Sequence, residues 1–422
     1  MASVHDQWFV NRKRPDGSLI KERTARHGSG KRWLVRWRDA DGEPRKKSFM
    51  RKADADREKS RLETELARGT YIDPDAGLIR FRDYAEQWRK SQFEDPNTAY
   101  QVGLRLRLHV YPVFGNEPLR AIKPTTIRDW LHNLTMKRSY QRTIFANVSQ
   151  IFTAAIADDL IGKNPCSSKT VPKPTPDPRM VVPWPAEWVA GVRATLPDRY
   201  AVLATLAAGT GLRQGEIFGL SPDDVDFQRG LIHVRRQVKL SASNQAYFAL
   251  PKGRKTRTVP MAPSVRRELQ AYQSNFPART VRLPWDQPNG ETIALPLVLT
   301  SRESTAPNRH YFNARVWKPA LIAAGVPPVR DNGCHALRHY YASVLLDGGE
   351  SIKTVSERLG HSDPAFTLRT YTHLLPSSES RTKDIIDAAF RTLPPRPAAR
   401  REAARARPAG RPRATGAPPQ QR

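Results

Sequence analysis

Acidic residues are scarce in this chain of 422 residues: 41 Asp and Glu stand against 70 Lys and Arg, a formal net charge of +29. A surplus of that size suits a protein that neutralises phosphates and gains affinity by releasing their counterions. Nucleic acid is therefore the leading partner. Residues 391–422 hold nine Arg against the single acid Glu402, but without them the charge is still +21. Cysteine is rarer still. Cys166 and Cys334 lie far apart with no paired spacing, which excludes a disulfide framework or a cysteine-based zinc site and fits a reducing setting. Long apolar runs are missing too. The longest mostly apolar stretch, Tyr200 to Leu212, is too short to cross a bilayer, and the opening MASVHDQWFVNRKRPDG has no apolar signal core. The expectation is a soluble protein with no membrane partner, long enough for two or three domains.

Near the N-terminus, Trp33, Val35 and Trp37 alternate with Leu34, Arg36 and Arg38, and the turn DADGE leads into RKKSF. That pattern predicts a basic β-hairpin. Residues 51–68 read as a helix with Gly69 as its stop, so a small β-plus-α module is expected. Farther on, Phe81, Tyr84, Ala85 and Trp88 recur at helical spacing, as do Ile144, Val148, Ile151, Phe152 and Ala155. PTTIRDWLHNL adds a third helix, with Thr125 or Thr126 placed to cap it. This all-helical domain ends near Pro165. CSSKTVPKPTPDPR, rich in Pro, Ser and Lys, reads as an extended linker. From Met180 to Phe390 helical patterns dominate, interrupted by strand-like LIHVRRQV and the basic turn PKGRKTRTVP. The tail RPAARREAARARPAGRPRATGAPPQQR, rich in Arg, Pro and Ala, is expected to be disordered.

Three short segments carry chemistry. GTGLRQGEIFGL places Arg213 on one helical face with Ile217 and Leu220, and Glu216 three residues on. A buried Arg213–Glu216 ion pair and a phosphate contact are both open readings. CHALRHYYASVLLDGG sets Leu337, Tyr341, Val344 and Leu345 on the core side, with His335 and Arg338 as neighbours at its edge. In LGHSDPAFTLRTYTH, Gly360 ends a helix, His361 follows it, and Tyr371 comes ten residues later. Asp347, Asp363 and the acids of SPDDVDF join the histidines in no metal-ligand spacing.

The ordered set Arg213, His335, Arg338, His361 and Tyr371 resembles the signature of the tyrosine recombinase family, also called phage integrases. The phrases YPVFGNEPLRAI and AIADDLIGKNP are similar to family members as well. The resemblance implies a mainly α multidomain fold with five parts. These are a β-plus-α arm-type DNA-binding module at 1–72, within which residues 1–20 match nothing assignable, a helical core-binding domain at 78–165, a linker at 166–179, a mainly α catalytic domain with a small sheet at 180–392, and a disordered basic tail at 393–422. By that match Arg213 and Arg338 clamp the scissile phosphate, Tyr371 attacks it, His335 accepts the phenol proton, His361 binds phosphate, and Glu216 orients the group. A family lysine in a β-hairpin turn supplies the leaving-group proton. Lys252 is the choice, with Lys255 in the same turn as its rival. Further DNA contacts are expected from Arg36, Arg38, Lys46, Lys47, Arg105, Arg107, Arg254, Lys255 and Arg257. His339 and His373 carry no role beyond surface or packing.

The implied activity is site-specific recombination at double-stranded DNA attachment sites by a homo-tetramer, integrating or excising a mobile element such as a prophage. No cofactor, metal or ATP is expected. An accessory DNA-bending or directionality protein is a further expected partner, and the implied location is the bacterial cytoplasm, associated with the nucleoid.

Overall fold

The computed structural model describes residues 2–392 apart from 16, 40–41, 74, 93–94, 177–179 and 375–378. The expected disordered tail, 393–422, lies outside the described residues. The first module is a three-stranded antiparallel sheet of β1 (Ser3–Asp6), β4 (Trp33–Arg38) and β5 (Pro44–Phe49), with β4 in the centre. The helix α1 (Lys52–Ala67) covers it, because alternation along β4 sends Val35 and Trp37 to one face, where they pack on Ala55, Leu62 and Tyr71. The Trp37 indole donates to the Tyr71 hydroxyl at 3.1 Å. Between β1 and β4 a separate hairpin, β2 (Phe9–Lys13) with β3 (Leu19–Arg23), stands out from the sheet. So the unassigned first twenty residues supply β1 and β2. Their strands are short and polar, with too little alternation to announce themselves.

The helical domain contains α2 (Phe81–Gln92), α3 (Pro96–His109), α4 (Tyr111–Phe114), α5 (Pro124–His132) and α6 (Arg138–Ala157). All nine periodic residues named for α2 and α6 are buried, with the Phe81 ring 5.1 Å from that of Phe114 and 5.3 Å from that of Phe152. The helices α3 and α4 add to the three that the pattern revealed. Asp95 starts α3 by accepting from Thr98 N at 2.9 Å. In α5 neither threonine precedes the helix: Lys123 is the cap, Pro124 opens the first turn, and Thr126 accepts from Lys123 N at 3.4 Å. The expected linker is only partly one. Cys166 and Val171 are buried in this domain's core, so 166–171 belongs to it despite its polar composition.

The third domain runs through α7 (Ala186–Thr195), α8 (Asp198–Thr210) and α9 (Gln214–Phe218), then β6 (Val225–Asp226), β7 (Leu231–Val234), β8 (Gln237–Leu240), β9 (Ala246–Ala249) and β10 (Arg257–Pro260). There follow α10 (Pro263–Asn275), the hairpin β11 (Arg279–Pro284) with β12 (Thr292–Leu297), and α11 (Arg309–Phe312), which continues through a π-turn into α12 (Lys318–Ala323). The chain closes with α13 (His335–Asp347), α14 (Ile352–Leu359), α15 (Pro364–Tyr371) and α16 (Glu379–Arg391). Helix α8 is buried nearly all round and forms the spine against which α7, α10 and α13 pack. LIHVRRQV is two strands rather than one: β7 pairs with β6 and β10, while β8 pairs with β9. The break falls at Arg235 and Arg236, because Arg236 turns inward to the buried Asp224 carboxylate at 2.5 Å. Among the described residues no helix is long and apolar enough to cross a membrane.

Among the contacts that tie the helical domain to the third are two at one edge of α3. Asn97 donates to Leu240 O at 2.5 Å, and Lys239 on β8 pairs with Asp95. They sit in a cleft of about 1260 Å³ that also reaches Arg213, Lys252 and Arg254.

Candidate active site

Helix α8 ends at Gly211, whose φ of +66° and contact with Tyr341, 2.4 Å from where a Cβ would lie, admit glycine alone. The chain then turns through Leu212 to Arg213. Contrary to the helical-face expectation, Arg213 is the extended residue before α9 (φ −74°, ψ 151°), so its side chain swings free of the Ile217 and Leu220 stripe. Glu216, one turn in, reaches back to Arg213 N at 2.8 Å and to its guanidinium at 2.8 Å. The ion pair is therefore present. It does not exhaust Arg213, which still lines the cleft and donates to Gly360 O at 3.4 Å.

Glu216 has a second partner. Arg257, at the start of β10, grips both carboxylate oxygens at 2.9 and 2.7 Å and donates to Arg358 O at 2.8 Å. Its side chain is only 8% exposed, so the expected DNA contact is corrected to a buried counter-charge. Burial opposes ionisation of Glu216, but the Arg257 and Arg213 guanidinium groups outweigh it and hold the carboxyl down to about 2.

Arg338 lies not at the edge of α13 but inside, 1% exposed, while Val344, expected in the core, is 49% exposed. The buried face of α13 is rotated because both α8 and α14 pack on it, and Arg338 reaches the ends of both. Arg338 donates to Gly211 O at 2.7 Å, to Leu359 O, and to His361 Nε2 at 3.1 Å. Burial, then the Arg213 charge, push its guanidinium well below the usual range. An arginine can only donate, so His361 Nε2 accepts and its Nδ1–H donates to the buried Thr367 at 2.7 Å. Desolvation, then Arg338 and Arg213, keep His361 neutral, down at about 3.

Tyr371 ends α15 in a small core of Tyr341, Ala342, Leu346, Val355 and Leu359, and is 1% exposed. Burial raises its phenol to about 12. The phenol is paired not with His335, the expected acceptor, but with His339 Nδ1 at 2.6 Å. His335 opens instead on a smaller cavity of about 430 Å³ shared with Arg213, its ring perpendicular to that of His339 at 4.7 Å. A residue assigned only to packing thus holds the phenol oxygen. The spacing in HALRHYYAS puts His339 one helical turn after His335 on the same face, which makes either ring a candidate and leaves the choice to packing. His373, by contrast, packs, with Nε2 against Val181 O at 2.7 Å.

Lys252 and Lys255 are both exposed in the turn joining β9 to β10, which links two sheets rather than closing one hairpin. Lys252 lines both the large cleft and the neighbouring cavity that holds His361, whereas Lys255 lines only the second. Arg254, in the same turn, reaches toward Asp286 at 3.4 Å. Arg36, Arg38 and Lys46 form the exposed face of the N-terminal sheet. Lys47 alternates to the other face and pairs with Glu58 of α1 at 2.8 Å, which removes it from that surface. On α3, Arg107 is exposed and Arg105 half-buried. Among the described residues no group of three or more His, Cys, Asp or Glu is placed to hold a metal ion.

The phage integrase family matches residues 190–378 and the phage integrase central domain residues 81–170. A tyrosine recombinase XerC-like protein of Caldanaerobacter subterraneus is 29% identical over 286 residues, covering 64% of this chain and 72% of that protein. The fold is similar to the Tn1549 transposon integrase in complex with transposon right end DNA (TM-score 0.62, 20% identity), covering 74% of this chain and all of that one. It is also similar to a lambda integrase tetramer bound to a Holliday junction (TM-score 0.52, 16% identity), covering 78% and 94% of the two chains. With two arginines, two histidines and a tyrosine drawn from separate segments to one neighbourhood, this chain belongs to the phage integrase family of tyrosine recombinases, which are site-specific DNA recombinases.

Proposed function

We propose that this chain cuts and rejoins double-stranded DNA at attachment sites through a covalent 3′-phosphotyrosyl link to Tyr371, integrating or excising a mobile element such as a prophage. The observation that carries this reading is that Arg213, which donates to the carbonyl of Gly360 just before His361, and Arg338, which donates to His361 Nε2, lie near the phenol of Tyr371, whose ionisation the Arg338 charge favours. Arg213 and Arg338 would hold the nonbridging oxygens, and planar guanidinium forks suit that grip. His361 and His335, both kept neutral, are ready to gain positive charge when phosphate enters. Lys252, in reach of the cleft, would protonate the leaving 5′ oxygen. The phosphotyrosyl bond conserves the energy needed for rejoining, so no ATP is consumed. The cations of the site can supply the charge stabilisation that a metal otherwise gives.

The two likenesses to DNA complexes, one of them a tetramer on a four-way junction, support a DNA-bound homo-tetramer here. The exposed face of Arg36, Arg38 and Lys46 suits a second, distant DNA site, and an accessory DNA-bending or directionality protein would then help to bring the two together. To test the reading, wild-type and Tyr371→Phe protein are incubated with pooled DNA fragments in EDTA and denatured in SDS, and the attached ends are sequenced. Adducts made only by the wild type, through a 3′ phosphate at one recurrent sequence, are expected. Scattered ends would point to a topoisomerase, and loss of all adducts on chelation would sink metal independence.

A further inference from the structure

The hydrogen bond between His339 and Tyr371 bears on how the nucleophile loses its proton. At 2.6 Å the phenol oxygen and His339 Nδ1 are in close hydrogen-bond contact, and the half-buried His339 ring stands 5.7 Å from the tyrosine ring. A phenol raised to about 12 carries its proton at neutral pH, so the phenol donates and Nδ1 accepts. The imidazole proton then sits on Nε2, leaving Nδ1 as a base already aligned with the proton that must move. Among the described residues no hydrogen bond joins His335 to Tyr371, and His335 meets His339 edge to face at 4.7 Å.

Resting on the reading of Tyr371 as nucleophile, we propose that His339 is a catalytic residue: the immediate acceptor of the Tyr371 proton, with His335 left to face the phosphate. In the step, the phenol oxygen forms its bond to phosphorus as the bond from phosphorus to the 5′ oxygen breaks. The phenol proton passes to His339 Nδ1, and the 5′ oxygen takes a proton from Lys252. Rejoining runs the same transfers backward, with His339 returning the proton as the tyrosine leaves.

The test is single-turnover cleavage of a nicked duplex carrying the recurrent cleaved sequence, by wild type, His339→Ala, His335→Ala and Lys252→Ala. Each is assayed with tyrosine or the more acidic trifluorotyrosine at position 371, and on oxygen- or sulfur-bridged 5′ leaving groups. Loss of a general base costs about 10²- to 10⁴-fold. His339→Ala is expected to slow cleavage by at least about a hundredfold. Trifluorotyrosine should recover at least about tenfold of that loss, since an acidic phenol needs less help. The sulfur leaving group should rescue Lys252→Ala and not His339→Ala. Cleavage by His339→Ala near or above the wild-type rate would overturn the proposal, as would a defect that fluorination does not relieve, or relief confined to His335→Ala. DNA affinity of each variant, measured alongside, separates misfolding from chemistry. Absence of any adduct with the wild-type protein would instead defeat the reading of Tyr371 itself.

Discussion

Glu216 carries more of the site than its silence in chemistry suggests. Its carboxylate is fully buried and neutralises Arg257 while steadying Arg213. Glu216→Gln leaves a buried guanidinium without its counter-charge, and we expect a loss of roughly 3–5 kcal/mol, read as a lowered urea midpoint. The histidines give a pH dependence of definite sign. With a folded pKa depressed to about 3 against an ordinary value near 6.5, His361 is neutral in the folded chain and protonated in the unfolded chain over that window. Stability is therefore complete above about pH 6.5 and falls as pH drops toward 3, by at most about 1 kcal/mol per pH unit after solvent screening. Urea titrations from pH 7 to 4.5 should show a shallower fall for His361→Asn. Bound phosphate reverses the balance, so DNA binding should take up protons, measurable as a binding enthalpy that depends on the buffer's own ionisation heat.

At the scale of elements, the site depends on how helices end. Gly211 closes α8 in a left-handed turn and offers its carbonyl to Arg338, so a methyl group there meets the Tyr341 ring and displaces the arginine's anchor together. Gly211→Ala should cost about 1–3 kcal/mol and weaken DNA cleavage more than DNA binding, checked by thermal melting beside adduct yield. Elements of this kind mark where the sequence could be read. The strong periodicity of α2, α6 and β4, and the order of Arg213, Arg338, His361 and Tyr371, were legible because apolar spacing and residue type are local properties. The capping position of Arg213, the inward turn of Arg257 and the choice of His339 over His335 were not. Each is decided by packing between segments distant in the chain: β10 against α9, and α15 against α13. The burial of Arg338 was hidden for the same reason, since helical spacing alone gives no rotation of α13 relative to α8 and α14.

At the scale of the whole molecule, the helical and third domains meet through Asp95–Lys239 and Asn97–Leu240 in the cleft that a duplex would enter. An acid there competes with phosphate for Lys239. Asp95→Asn keeps the helix cap, because asparagine caps as well as aspartate, but removes that competitor. DNA affinity should rise several-fold at unchanged melting temperature, in titrations at fixed salt, with no rise counting against the contact as a barrier. The burial of Tyr371 has a different reach. On the reading proposed above, a nucleophile 1% exposed among Val355 and Leu359 has to gain access to a phosphodiester without losing His339, so α13 and α15 would move toward the DNA as one piece. Breaks made in a cell would then count assemblies that have made that movement rather than copies of the enzyme.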